Sequence, residues 1–216
     1  RRAQQGRSSA AAEVYKRQPQ GRNRQDQAPL SESTVGEAVS ARDAAAKLAE
    51  TMPEHTSSVT LSWQDPMIGA GKGLELAGLD YLHLVRSGEL PPPPIAVMMN
   101  FSIEEIEERR AVFTGFPGEE QYNPIGVVHG GYAATILDSA LGCAVQTTLE
   151  RGLAYTSLGL EVKYLRPITR DTGQVRCEAN VLYRGRRQAT SEAKLTSAET
   201  GKLLGTGTTT CLLMPL

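Results

Sequence analysis

With 216 residues, 40% hydrophobic and only 5% aromatic, the chain is long enough for one ordinary domain with an aliphatic core, plus extensions. Residues 1–30 hold seven Lys/Arg against two Asp/Glu, leaving 16 basic and 22 acidic side chains for the other 186 residues; that net-acidic bulk argues against nucleic acid as the main partner. No run of eighteen apolar residues occurs, so neither a membrane span nor a membrane partner is expected.

Taken in chain order, residues 1–42 are expected to be a disordered or artefactual tail, rich in Arg, Gln and Ser. Residues 43–94 read as a helical extension with a Pro-rich connector. Within it, 43–50 form a short helix capped by Asp43, 51–73 are irregular around Trp63 and Pro66, and 74–87 form an amphipathic helix. Leu76, Leu79, Leu82, Leu84 and Val85 mark that helix, Gly88 closes it, and Pro91 to Pro94 continue as a stiff extended spacer. Residues 95–216 form the main domain. Strands are expected over 99–107, where the alternation of Phe101 and Ile103 slips before Ile106, and over 110–116. A loop at 117–124 leads to an apolar helix over 130–150, ended by Gly152. Four more strands follow at 154–166, 173–183, 187–197 and 202–214, with Arg184-Gly185-Arg186 turning the second hairpin. A helix apolar nearly all round needs covering. An α+β fold with a six-stranded antiparallel sheet wrapped around it is the economical packing.

The chemistry concentrates at the start of that helix, at His129-Gly130-Gly131, with Asp138 nine residues beyond the histidine. Apolar residues recur at helical spacing through Ala133, Ile136, Leu137, Ala140, Leu141 and Ala144. Two glycines free the backbone for close approach, and first-turn N–H groups have no intrahelical acceptor, so they favour charge developing on a carbonyl oxygen. A carboxylate two turns deeper in an apolar stripe is expected to be buried and its pKa raised toward a useful base. Gly130 and Asp138 are eight residues apart, roughly 12 Å along a helix. One small carbonyl cannot reach both, so if both groups act on the same bond, two antiparallel copies of the helix must supply the site, and a dimer is implied.

Cys143, Cys177 and Cys211 lack C-x-x-C spacing and read as buried thiols of a reducing, cytoplasmic compartment. His55, His83 and His129 have no metal-ligand spacing, so no metal is expected.

Asn123-Pro124-Ile125-Gly126-Val127-Val128-His129-Gly130-Gly131, with Asp138 inside the helix and the element order strand–strand–helix–four strands, resembles the hotdog fold. Within it, the pattern is similar to the phenylacetate-pathway (PaaI-like) branch of the 4-hydroxybenzoyl-CoA thioesterase superfamily. The resemblance covers roughly residues 95–214, and segment 74–87 is similar to an N-terminal addition of some members. It implies acyl-CoA hydrolysis with no cofactor beyond the coenzyme A of the substrate. It implies Asp138 as general base or nucleophile, the Gly130 N–H as oxyanion hole, His129 and Asn123 holding the substrate carbonyl and the turn, and Ser157 helping to hold water. Gly142, four residues after Asp138, departs from relatives that carry a hydroxyl there. Gly131, Tyr132, Arg184, Arg186 and Arg187 are candidate substrate contacts: Tyr132 is either pocket wall or packing, and the arginines either meet coenzyme A phosphates or form a solvated turn. The partners implied are an acyl-CoA and a second copy, as a dimer or a dimer of dimers. Competing readings are a non-catalytic acyl-CoA-binding module and a hotdog hydratase.

Overall fold

The computed structural model describes residues 56–216. The expected tail and the 43–50 helix lie outside the described residues. The chain divides between Thr60 and Leu61, and the unit Leu61–Leu216 carries everything described below.

Among the described residues, three helices precede the sheet: α1 (Pro66–Gly73), α2 (Gly78–Ser87) and α3 (Pro94–Met98). All three correct the sequence expectation. Residues 66–73 are helical rather than irregular, because Asp65 accepts the Met67 N–H at 2.9 Å and Pro66 stands at the first helical position. Likewise Pro94 opens a helical turn instead of ending a spacer, so the first strand begins at Phe101, not at 99. Helix α2 starts at Gly78 rather than at 74, and Gly88 ends it in the left-handed region at φ 82°.

The sheet consists of β1 (Phe101–Glu107), β2 (Arg110–Gly115), β3 (Leu153–Tyr164), β4 (Val175–Arg184), β5 (Gln188–Ser197) and β6 (Leu203–Pro215). All neighbours are antiparallel, in the order β1-β2-β4-β5-β6-β3. The slip in β1 is a bulge between Ile103 and Glu105, which returns Ile106 to the buried face. Helix α4 (Gly130–Gln146) touches all six strands and buries Ala133, Ile136, Leu137, Ala140, Leu141 and Ala144 against them. It ends four residues short of the expected 150. Thr147 and Thr148 turn their hydroxyls back onto the carbonyls of Ala144 and Val145 at 2.7 Å, while Gly152 serves only the following turn.

Strands β4, β5 and β6 alternate buried and exposed as a one-sided sheet must, but β3 does not. Among the described residues only β6 pairs with it, and residues 156–161 are exposed. Leu158 (57% exposed) and Leu160 (38%) on this twelve-residue edge present apolar side chains and unpaired backbone groups to solvent. Among the described residues, no helix is long and apolar enough to cross a membrane.

An ion-pair network ties β1, β2 and β4 together. Arg110 donates to Glu178 and Glu105, both at 2.8 Å, and Arg176 donates to Glu178 at 2.6 Å. Arg176 and Arg110 hold the Glu178 carboxyl below its ordinary value of 4.5, and Arg110 does the same for Glu105. A carboxyl depressed by folding stabilises fully above its unfolded pKa and loses that contribution as pH falls through the folded one. Acidification below about pH 4.5 is therefore expected to lower Tm, and E178Q to flatten that fall. Thermal melts of both proteins between pH 3 and pH 7 would check this; parallel curves would remove the network from the acid response.

Candidate active site

Helix α4 is delivered by a fixed turn. Asn123 Oδ1 accepts the N–H groups of Ile125 (3.1 Å) and Val127 (3.3 Å), and the Asn123 N–H donates to the Val127 carbonyl at 2.8 Å. Gly126 takes φ 79° inside this turn. The Val128 and His129 amides are then held by the carbonyls of Ile168 and Gln121 at 2.9 and 2.8 Å. Asn123 thus spends its carbonyl oxygen on the backbone entering the helix.

His129 is the N-cap, in extended conformation (φ −60°, ψ 138°), and its Nδ1 accepts the Gly131 N–H at 2.8 Å. That bond puts the proton of a neutral ring on Nε2, which points a donor outward. It also removes Gly131 from the donors open to a substrate, against the sequence expectation. The Gly130 N–H, at the first helical position, keeps no acceptor among the described residues. The Tyr164 ring packs over Gly130, so a Cβ there would lie 3.2 Å from it. His129, Gly130 and Tyr164 share a cavity of about 330 Å³.

Asp138 is not in the apolar stripe. Successive helical residues turn by about 100°, which carries it off the face of Leu137 and Leu141, and it is exposed in the single chain. The expectation of burial fails. What Asp138 does have is Ser157, whose hydroxyl donates to Oδ1 at 3.4 Å. The pairing follows from repeat lengths: a step of four helical residues and a step of two strand residues both advance roughly 6 Å. Ser157 on β3 therefore meets Asp138 while Tyr155 meets Gly142. The Tyr155 hydroxyl lies so close to Gly142 that a methyl group there has no room. Burial pushes the Tyr155 phenol up, keeping it a protonated donor. Position 142 thus has a strand hydroxyl pressed against it, from a residue that sequence reasoning passed over. Its only signal was the two-residue spacing to Ser157. Burial, then the Asp138 charge, pushes the Cys143 thiol up to about 12, so it is no nucleophile near neutral pH.

Asp138, Ser157 and Tyr155 open into a second cavity of about 300 Å³, walled by α2, α3 and β1. Within one chain the two cavities share no lining residue. The hairpin arginines stand at the opposite end of α4 from His129. Arg184 Nε donates to Thr148 Oγ1 at 3.2 Å and its Nη1 donates to the Gly185 carbonyl, whereas Arg186 and Arg187 are exposed.

Tyr132 lines neither cavity. It is 1% exposed, its hydroxyl presses against Gly115, and that hydroxyl has no partner among the described residues. Packing, one of its two sequence readings, is where the structure places it. An unpaired buried hydroxyl costs about 1–3 kcal/mol, so Y132F is expected to keep or raise Tm in a thermal melt; a marked drop would mean that the hydroxyl is satisfied.

A six-stranded antiparallel sheet in this order, curled about one central helix that enters through an His-Gly-Gly cap, is a hotdog domain. Residues 125–204 match the family described as Thioesterase superfamily. Acyl-coenzyme A thioesterase 13 of Mus musculus is 34% identical over 90 residues, which is 41% of this chain and 63% of the relative. The Homo sapiens protein of that name is 36% identical over 89 residues, 41% and 62% of the two chains. The matched stretch spans less than two thirds of these relatives. Among solved structures, a phenylacetic acid degradation-related protein from Ralstonia eutropha JMP134 is similar at 29% identity and TM-score 0.56, over 61% of this chain and 98% of that one. A variant of the phenylacetic acid degradation protein PaaI from Thermus thermophilus is 27% identical with TM-score 0.50, over 55% and 97%.

Proposed function

We propose that this chain is an acyl-CoA thioesterase that works as a dimer. The observation that carries the reading is the Asp138–Ser157 pair at the mouth of an apolar cavity, with an unpaired Gly130 N–H at the start of the same helix. Asp138 takes a proton from water as the oxygen attacks the thioester carbonyl, and Ser157 orients that water. The tetrahedral oxyanion is held by the Gly130 N–H of a second copy, with His129 Nε2–H beside it. The C–S bond then breaks, the carbonyl re-forms, coenzyme A leaves as thiolate and the proton is returned to bulk. The alternative route, attack by the Asp138 carboxylate to give an anhydride that water opens, uses the same atoms. A thiolate departs readily near neutral pH, so no separate acid is required.

Distance supports the dimer. Gly130 and Asp138 lie roughly 12 Å apart on one helix, and the exposed edge β3 offers twelve residues for pairing with another β3. Antiparallel helices would bring Arg186 and Arg187 of one chain toward Gly130 of the other, where the phosphates of coenzyme A would lie. A hydratase reading needs His129 beside an acid, and its Nδ1 instead faces the Gly131 N–H. The direct experiment is thiol release from a panel of acyl-CoAs, together with the molar mass in solution. Turnover by a dimer or higher even assembly supports the proposal. Binding without release would make the chain a binding module, and a stable active monomer would end the shared-site reading.

A further inference from the structure

The extension formed by α2 and α3 is not a loose appendage. The Gly78 N–H donates to the Leu149 carbonyl at 2.9 Å, and a Cβ on Gly78 would run into the Gln146 carbonyl, so α2 rests directly on the end of α4. At its other end Arg86 Nε donates to the Glu104 carbonyl of β1 at 2.7 Å. Leu82, Leu90 and Ala96 are 3%, 7% and 5% exposed, so the extension shares the core of the domain. Prolines 91–93 lock the link between the two helices.

Pinned in this way, the extension forms one wall of the 300 Å³ cavity that Asp138 and Ser157 open into. Val85 of α2 and Ile95 of α3 line it together with Phe101 and Ile103 of β1. The lining is mixed: Arg86, Ser102 and Gln146 join Asp138 and Ser157 as polar groups, while the larger part of the wall is apolar, a lining that suits an acyl tail beside a reacting carbonyl. Volume limits the tail. At roughly 30 Å³ per water-sized group, the cavity holds on the order of ten non-hydrogen atoms.

We propose that residues 78–98 are the far wall of the acyl pocket and set the size of the acyl group, admitting tails of up to about ten heavy atoms and excluding long straight chains. This rests on the thioesterase reading and assigns the extension a role in selectivity. Val85 is the residue to test, because it lines the cavity and is only half-buried, whereas Leu82, which also lines it, is a buried core residue.

The experiment compares acetyl-, octanoyl- and palmitoyl-CoA with the wild type, V85W and V85A, with thermal melts to verify folding. The wild type is expected to prefer octanoyl-CoA. V85W should lower kcat/KM for octanoyl-CoA about tenfold or more while changing acetyl-CoA little, since a pocket contact worth one methylene already shifts discrimination by about tenfold. V85A should move the preference toward longer chains, which keeps the test alive if V85W misfolds. Unchanged ratios across the three acyl groups would overturn the wall while leaving the thioesterase intact. If no protein releases thiol, the thioesterase reading fails, and calorimetric binding of acetyl- and octanoyl-CoA to the same three proteins decides the wall. A V85W-specific loss of octanoyl-CoA binding would uphold it; equal affinities, or no binding, would overturn it.

Discussion

D138N is expected to lower kcat by about 10²- to 10⁴-fold, the range for removing a positioned base. The asparagine keeps the shape of the side chain and an oxygen for Ser157 to donate to, but it can neither take a proton from water nor attack a carbonyl. Because Asp138 is exposed and its side chain makes a single 3.4 Å hydrogen bond, Tm should move little, within about 0.5 kcal/mol of stability. S157A should cost less, since it orients the water without accepting its proton. The decisive comparison is thiol release at saturating acyl-CoA beside a thermal melt. Retention of more than a tenth of the activity by a folded D138N would remove Asp138 from the chemistry.

G130P is expected to cost about 10²- to 10³-fold in kcat, the loss seen when one oxyanion donor is deleted. Proline erases the amide hydrogen at the one helical position where it is best tolerated. The preceding residue must be extended, and His129 already is, at φ −60° and ψ 138°. The ring must displace Tyr164 by a few tenths of an ångström, which a 59%-exposed side chain can accommodate. Mixed dimers sharpen the result. A dimer of one D138N and one G130P chain contains one composite site with both groups intact and one with neither, so about half the wild-type activity should return in a two-fold assembly. If each chain carried a complete site, the mixed dimer would be as inactive as its parents.

Much of this architecture is legible in the sequence. The 3.6-residue period of Ala133, Ile136, Leu137, Ala140, Leu141 and Ala144 named the buried face of α4, and the slip before Ile106 marked the bulge in β1. Helix boundaries were less legible. The Asp65-Pro66 start signal stood inside a stretch rich in glycine, and Pro94, last of four prolines, opened a turn that looked like the end of a spacer. The misreading of Asp138 has a clear cause: residues adjacent in an apolar segment need not share a face, and about 100° of rotation separates Asp138 from the stripe beside it.

The sequence by itself determined the periodicities, and with them the helix, the strands and the approach of His129 and Gly130 to a free helix terminus. Those properties are local, set by repeat length and by backbone groups that lack intrahelical partners. Only the tertiary structure decided which side chain from β3 would stand against which turn of α4, pairing Ser157 with Asp138 and Tyr155 with Gly142. It alone set α2 on the end of α4 and so walled the cavity beside Asp138. Such contacts join residues far apart in the chain, and their register depends on how a curved sheet closes over a helix, which no local pattern encodes.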